Sequence, residues 1–229
     1  MEIIIDFGGI VLKKVLMVLT NSSKIDDEHE TGLWLSEFAE PYVAFKNKGY
    51  EIKVASPEGG RIPLDPNSLE EEQPSEWDEA ISKLENTEIL GGVNTHDFNG
   101  IFLPGGHGTM FDLPDSRELS ETLAHFAENN KVIGAVCHGP AGFTGTKLSN
   151  GKWLVDGKNM TGFTNEEEQQ TGLEKAMPFL LESKLREQGA KFEKGPAYSD
   201  YVVADGNFIT GQNPQSSAST AKAFIEALG

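Results

Sequence analysis

A chain of 229 residues, 38% of them hydrophobic, can bury one substantial core. Its 36 acidic side chains against 19 basic ones leave a net charge of -17, a field that repels phosphate backbones and anionic lipid and so excludes nucleic acid and membrane surfaces as partners. One cysteine cannot close an internal disulfide, no apolar run is long enough to cross a bilayer, and the N-terminal order, apolar Met1 to Ile5 before Lys13 and Lys14, reverses that of a secretory signal. The expected location is the cytoplasm.

Val15 to Thr20 is a short apolar run rich in branched residues, which predicts a strand covered on both faces. From Leu33 to Lys48 the residues Leu33, Trp34, Phe38, Tyr42 and Phe45 recur at helical spacing, with Gly49 as the stop signal and a strand from Tyr50 to Ala55. Pro63 to Glu79, rich in Pro, Asp and Glu, reads as a solvated surface insertion with a short helix from Pro74 onward. Gly100 to Leu103 and Lys131 to Val136 are two further buried strands, separated by a helix over Ser116 to Asn129. Short strands follow at Asn159 to Phe163, Tyr201 to Ala204 and Asn207 to Thr210, and Pro214 to Leu228 closes the chain as a helix. Such alternation predicts an α/β protein with a doubly wound, mostly parallel sheet whose site lies at the carboxyl edges of the strands.

Two turns carry the chemistry. In Val132-Ile133-Gly134-Ala135-Val136-Cys137-His138-Gly139-Pro140 the thiol stands where a strand ends and a helix with small residues begins, a turn expected to expose the side chain and to favour a thiolate through the helix N-terminus. A buried cysteine acting as a small hydrophobe is the bland alternative, and the adjacent histidine and glycines weigh against it. In Leu103-Pro104-Gly105-Gly106-His107-Gly108-Thr109 two glycines after a strand can turn backbone N–H groups into a cleft, where with the amide of His138 they would stabilise an oxyanion. Of the five histidines only His138 follows Cys137, so the downstream Cys–His pairing of ordinary glutamine amidotransferases and papain-type proteases is excluded.

The blocks TGLWLSE, LPGGHGTMFDLP, AVCHGPAG, TGFTNEEE and TGQNPQSSAST resemble the signatures of the ThiJ/PfpI superfamily, in the branch of heat-inducible chaperones and cofactor-independent glyoxalases often labelled glyoxalase III. The resemblance spans roughly Lys13 to Gly229 and implies a flavodoxin-like fold with a nucleophile elbow. It makes Cys137 the nucleophile, His138 the histidine of the elbow, Glu37 the proton donor or acceptor beside the sulfur, and Glu168 the carboxylate that orients the histidine, with Glu166 and Glu167 as competing assignments. A carboxyl beside a thiolate should have its pKa raised by like charge and partial burial. The implied reaction converts methylglyoxal or glyoxal to a hydroxy acid through a cysteine hemithioacetal, needs no metal and no nicotinamide, and implies a homodimer. Chaperones, deglycases and peptidases of the same superfamily are the alternatives, and for a chaperone the partners would be unfolded client proteins.

Ile3 to Val11 (IIIDFGGIV) also resembles the first motif of haloacid-dehalogenase-type phosphatases, with Asp6 as nucleophile and Mg²⁺ as cofactor, but no later partner set accompanies it. Gly8-Gly9 can be encoded by a ribosome-binding sequence and Leu12 by an alternative start codon. The expected layout is therefore an extra segment over 1–11 and a single domain over 12–229.

Overall fold

A computed structural model describes residues 12–69 and 72–229, so Asp6 and the layout expected for 1–11 lie outside the described residues. The apolar run after Lys13 forms β1 (Lys14–Val18), an interior strand of a sheet also containing β2 (Glu51–Ser56), β3 (Glu88–Ile89), β4 (Gly100–Leu103), β5 (Val132–Val136), β8 (Val202–Asp205) and β9 (Phe208–Gly211). The order is β3-β2-β1-β4-β5-β9-β8, parallel throughout except for the β8–β9 hairpin at one edge. Continuous apolar runs are what strands covered on both faces require, and β4 and β5 are buried along their whole length.

The chain moves outward from β1 to β2 in one direction and from β4 to β5 in the other. Right-handed crossovers therefore put α1 (Leu35–Asn47) and α4 (Arg117–Glu128) on opposite faces. The carboxyl ends of β1 and β4 flank the resulting switch point, where doubly wound sheets open a crevice. Ser116 caps α4, its Oγ accepting from the Leu119 N–H at 3.2 Å. On the α1 face the closing helix α7 (Ser217–Leu228) drives Phe224 against Phe45 and Phe102, at centroid distances of 5.0 and 5.5 Å, over the side-chain-free positions Gly100 and Gly134.

Three expectations need correction. The strand expected over Asn159 to Phe163 is only β6 (Asn159–Met160), paired in a separate two-stranded sheet with β7 (Lys191–Phe192). Beyond it the backbone turns inward, where the Thr161 N–H meets the Thr210 hydroxyl and the Phe163 N–H meets the Cys137 carbonyl. The acidic insertion is not wholly solvated: α2 (Asp78–Lys83) forms as expected, but Trp77 is buried and so is Asp65, which accepts from the Thr31 hydroxyl at 2.9 Å. A helix with no counterpart in the sequence reading, α6 (Leu181–Glu187), buries Leu181 and Leu185.

Candidate active site

Cys137 ends β5 with φ at 58°, a left-handed backbone that costs a non-glycine residue about 1–3 kcal/mol. Hydrogen bonds on both sides hold it there: the Cys137 N–H donates to the Gly211 carbonyl at 3.0 Å, and the Phe163 N–H donates to the Cys137 carbonyl at 2.8 Å. The side chain is only 3% exposed, not presented to solvent as the sequence suggested. The segment after the elbow is not an α-helix either but a five-residue 3-10 turn, Gly139–Phe143, with Pro140 lacking an N–H near its start. So short a turn offers little dipole. Burial, followed by the charge of Glu37, pushes the thiol well above its ordinary pKa, while the His138 N–H pulls the other way. The helix dipole expected to favour a thiolate is therefore weak here.

Glu37, in the first turn of α1, is fully buried, and its Oε2 accepts from the Gly105 N–H at 2.7 Å. Its Oε1 has no hydrogen-bond partner. Burial raises the carboxyl to about 8, against the opposing pull of Cys137 and the Gly105 N–H, which favours its protonated form at neutral pH. Burial rather than like charge is the leading cause. Gly105 permits this approach, because a Cβ there would stand 2.6 Å from Glu37 Oε2 and 2.7 Å from the His138 nitrogen. The same contact engages the Gly105 amide, which the sequence reading had reserved for an oxyanion. Gly106 follows with φ at 100°.

On the other side of the sulfur, His138 Nδ1 lies 3.3 Å from Sγ, and Nε2 lies 2.7 Å from Glu168 Oε2. The imidazole packs against the tilted rings of Phe163 and His107, at centroid distances of 4.3 and 4.2 Å. Burial lowers its pKa, and the neighbouring His107 lowers it further against the opposing pull of Glu168. For Glu168 burial acts upward, but the charge of His138 and the hydrogen bonds from His107 and His138 outweigh it and hold the carboxylate well below its usual range.

The three adjacent glutamates separate cleanly. They open α5 (Asn165–Thr171), whose successive side chains are turned by about 100°. Glu166 is exposed near Lys194, and Glu168 reaches His138. Glu167 closes a capping box with Thr164, and its Oε1 accepts from the Tyr198 N–H, Gln212 Nε2 and Asn213 Nδ2 at 2.8, 3.1 and 2.9 Å.

Two further residues escaped the sequence reading. His107 places Nε2 2.7 Å from Glu168 Oε1. Tyr198, with φ at 55°, is held by Glu167 beside Phe163, 6.2 Å between ring centroids. The donor atoms of His107, His138 and Glu168 all lie within 4.8 Å of one another. Contacts of 2.7 Å from each Nε2 to a carboxylate oxygen require an N–H on both rings, which leaves neither Nε2 a lone pair for a metal.

Residues 29–227 match the DJ-1/PfpI family. The chain belongs to the DJ-1/PfpI family. Among its relatives, the glutathione-independent glyoxalase HSP31 of Saccharomyces cerevisiae is 32% identical over 94% of this chain and 98% of its own length. Two solved structures superpose closely. The Rapid Encystment Protein 24 kDa of Francisella tularensis is 38% identical with a TM-score of 0.91, covering 95% of this chain and 100% of that one. Glyoxalase III of Candida albicans is 30% identical with a TM-score of 0.86, covering 94% and 97%. The sheet, elbow and flanking helices are thus those of the family, flavodoxin-like and doubly wound.

Proposed function

We propose that this DJ-1/PfpI protein converts 2-oxoaldehydes such as methylglyoxal to 2-hydroxy acids, without glutathione or nicotinamide, with Cys137 as nucleophile. The observation that carries the reading is a buried thiol with a buried carboxyl, Glu37, on one side and the imidazole of His138, its Nδ1 3.3 Å from Sγ, on the other, burial raising the carboxyl and lowering the imidazole. The names of the relatives support it.

His138 Nδ1 takes the thiol proton as sulfur attacks the aldehyde carbon, and Glu37 protonates the aldehyde oxygen, giving a hemithioacetal. Glu37, now ionised, removes the hydrogen on that carbon as a proton. The electron pair forms the C=C bond of an enediol, and His138 protonates the adjacent ketone oxygen. Glu37 then returns its proton to the second carbon while His138 takes the hydroxyl proton from the first, leaving a thioester. Water adds to the thioester carbon as ionised Glu37 takes its proton, and the C–S bond breaks as His138 returns its proton to the sulfur, restoring carboxyl, imidazole and thiol. One substrate and one water give one lactate, with the oxidised aldehyde carbon balanced by the reduced ketone carbon. Because Glu37 engages the Gly105 amide, the amides assigned to the developing oxyanion are those of Gly106 and His138.

Purified protein incubated with methylglyoxal alone should form lactate in step with substrate loss. Absence of lactate, with suppression of aggregation of a denatured client intact, would overturn the reading in favour of a chaperone. The large exposed apolar side chains among the described residues, Leu12, Leu69, Ile89 and Tyr198, come from four separate segments, which favours an enzyme pocket over a client-binding patch.

The proposal places one domain over 12–229, working in the cytoplasm as a homodimer. No helix among the described residues is long and apolar enough to cross a membrane, and a working thiol suits a reducing compartment. Sedimentation at micromolar concentration should give a species of twice the chain mass, and a single monomeric species would count against the dimer.

A further inference from the structure

We infer that His107 is a positioning residue for the proposed reaction: by donating its Nε2–H to the second oxygen of Glu168, it locks that carboxylate onto His138 and keeps the bare Nδ1 of His138 aimed at Cys137. The inference rests on the functional reading above for its kinetic consequence, though not for its geometry.

Glu168 Oε2 is committed to His138, and Oε1 receives His107 Nε2 at 2.7 Å together with the Thr171 hydroxyl at 3.1 Å. The terminal torsion of a glutamate is soft, so a carboxylate anchored through one oxygen can rotate and let its partner tilt. With a ring on each oxygen, and the two tilted rings in contact at 4.2 Å between centroids, rotation would break both short bonds together. An ionised carboxylate accepts only, so each Nε2 must carry the proton and Nδ1 of neutral His138 must be the acceptor. That is the tautomer able to take the thiol proton.

The source of His107 strengthens the case. It stands in the turn after β4, two residues beyond Gly105, whose N–H holds Glu37. One short turn thus grips both carboxyls, the one beside the sulfur and the one behind the imidazole. The Thr109 hydroxyl, donating to the His138 carbonyl at 2.9 Å, ties the elbow to the same turn. The charged and titratable groups facing His138 are His107 from this turn, Glu167 and Glu168 from α5, and neighbouring Cys137, and the Phe163 ring packs against it at 4.3 Å.

The test compares His107→Leu, which removes the donor, with His107→Gln, which keeps an N–H near the position of Nε2. In His107→Leu, kcat for methylglyoxal should fall about 10- to 100-fold with KM little changed, the size expected when a reacting group is displaced by an ångström or less. His107→Gln should recover most of the rate. Imidazole nitrogen NMR of the wild type should show an Nε2–H on each ring hydrogen-bonded to carboxylate and a bare Nδ1 on His138. In His107→Leu the His138 titration should move to higher pH, since a neighbour that depresses it is gone. Equal losses in the Leu and Gln variants would mean packing rather than positioning and would overturn the inference. So would a wild-type spectrum with His138 protonated on Nδ1, a measurement that needs no variant to fold. A wild type that makes no lactate would sink the functional reading, whereas the nitrogen shifts judge His107 independently.

Discussion

Cys137→Ala should abolish lactate formation from methylglyoxal, with a loss on the order of 10⁴-fold or more, because no other group among the described residues can form the thioester. The substitution removes one buried sulfur and leaves the backbone bonds to Gly211 and Phe163 in place, so circular dichroism and cooperative unfolding should be retained. Alanine also tolerates the left-handed turn about as poorly as cysteine does, and the strain is nearly unchanged. A folded Cys137→Ala protein with more than a small fraction of wild-type turnover would exclude covalent catalysis at this position, and the remaining chemistry would have to be acid–base catalysis by Glu37 and His138.

Glu37→Gln should separate proton transfer from nucleophilicity. The amide can still accept from the Gly105 N–H, so the turn should hold, but it cannot exchange protons, and kcat should drop by about 10² to 10⁴. Cys137 should remain alkylatable by iodoacetamide. The variant also carries an expected gain in stability. Glu37 titrates at about 8 in the folded chain against an ordinary value of 4.5, so below 4.5 both states hold the proton and the group contributes no slope. Between those values the unfolded chain releases a proton that the folded chain keeps, and stability declines with rising pH by up to about 1.4 kcal/mol per unit. Above about 8 the slope vanishes again. Glutamine removes this dependence, so Glu37→Gln should become progressively more stable than wild type from pH 5 to pH 8 in thermal melts. Parallel melting curves for the two proteins would show that Glu37 is ionised at neutral pH, and the first protonation step would then fall to another group.

The central strands and the elbow were legible because a strand buried on both faces must be apolar without interruption, and because Cys137 follows such a run directly. The burial of that cysteine was not. Its cover comes from Glu37 and Phe163, far away in sequence, and a local reading sees only an open turn. The 3-10 geometry after it depends on Pro140 and on the glycine turn packed beneath, again a tertiary matter. The choice among Glu166, Glu167 and Glu168 needed the phase of α5 relative to the sheet, which three identical residues cannot report. His107 was visible as a histidine within a glycine turn, yet its partner lies 61 positions along the chain, and only the stacking of two loops brings them together. Of the two-residue strands, β6 was legible only as part of a longer run and β7 carries too little pattern to be seen at all.

The backbone of the elbow is fixed from behind by late parts of the chain: Gly211 at the end of β9 receives the Cys137 N–H, and Phe224 of α7 wedges β4 and β5 into place. During synthesis the thiol therefore leaves the ribosome well before the groups that set its geometry. A nascent chain lacking β9 and α7 carries the cysteine without the sites that fix the strained turn, and the reactive constellation assembles last. Products truncated before β9 and α7 should therefore present an ordinary thiol in place of a working centre.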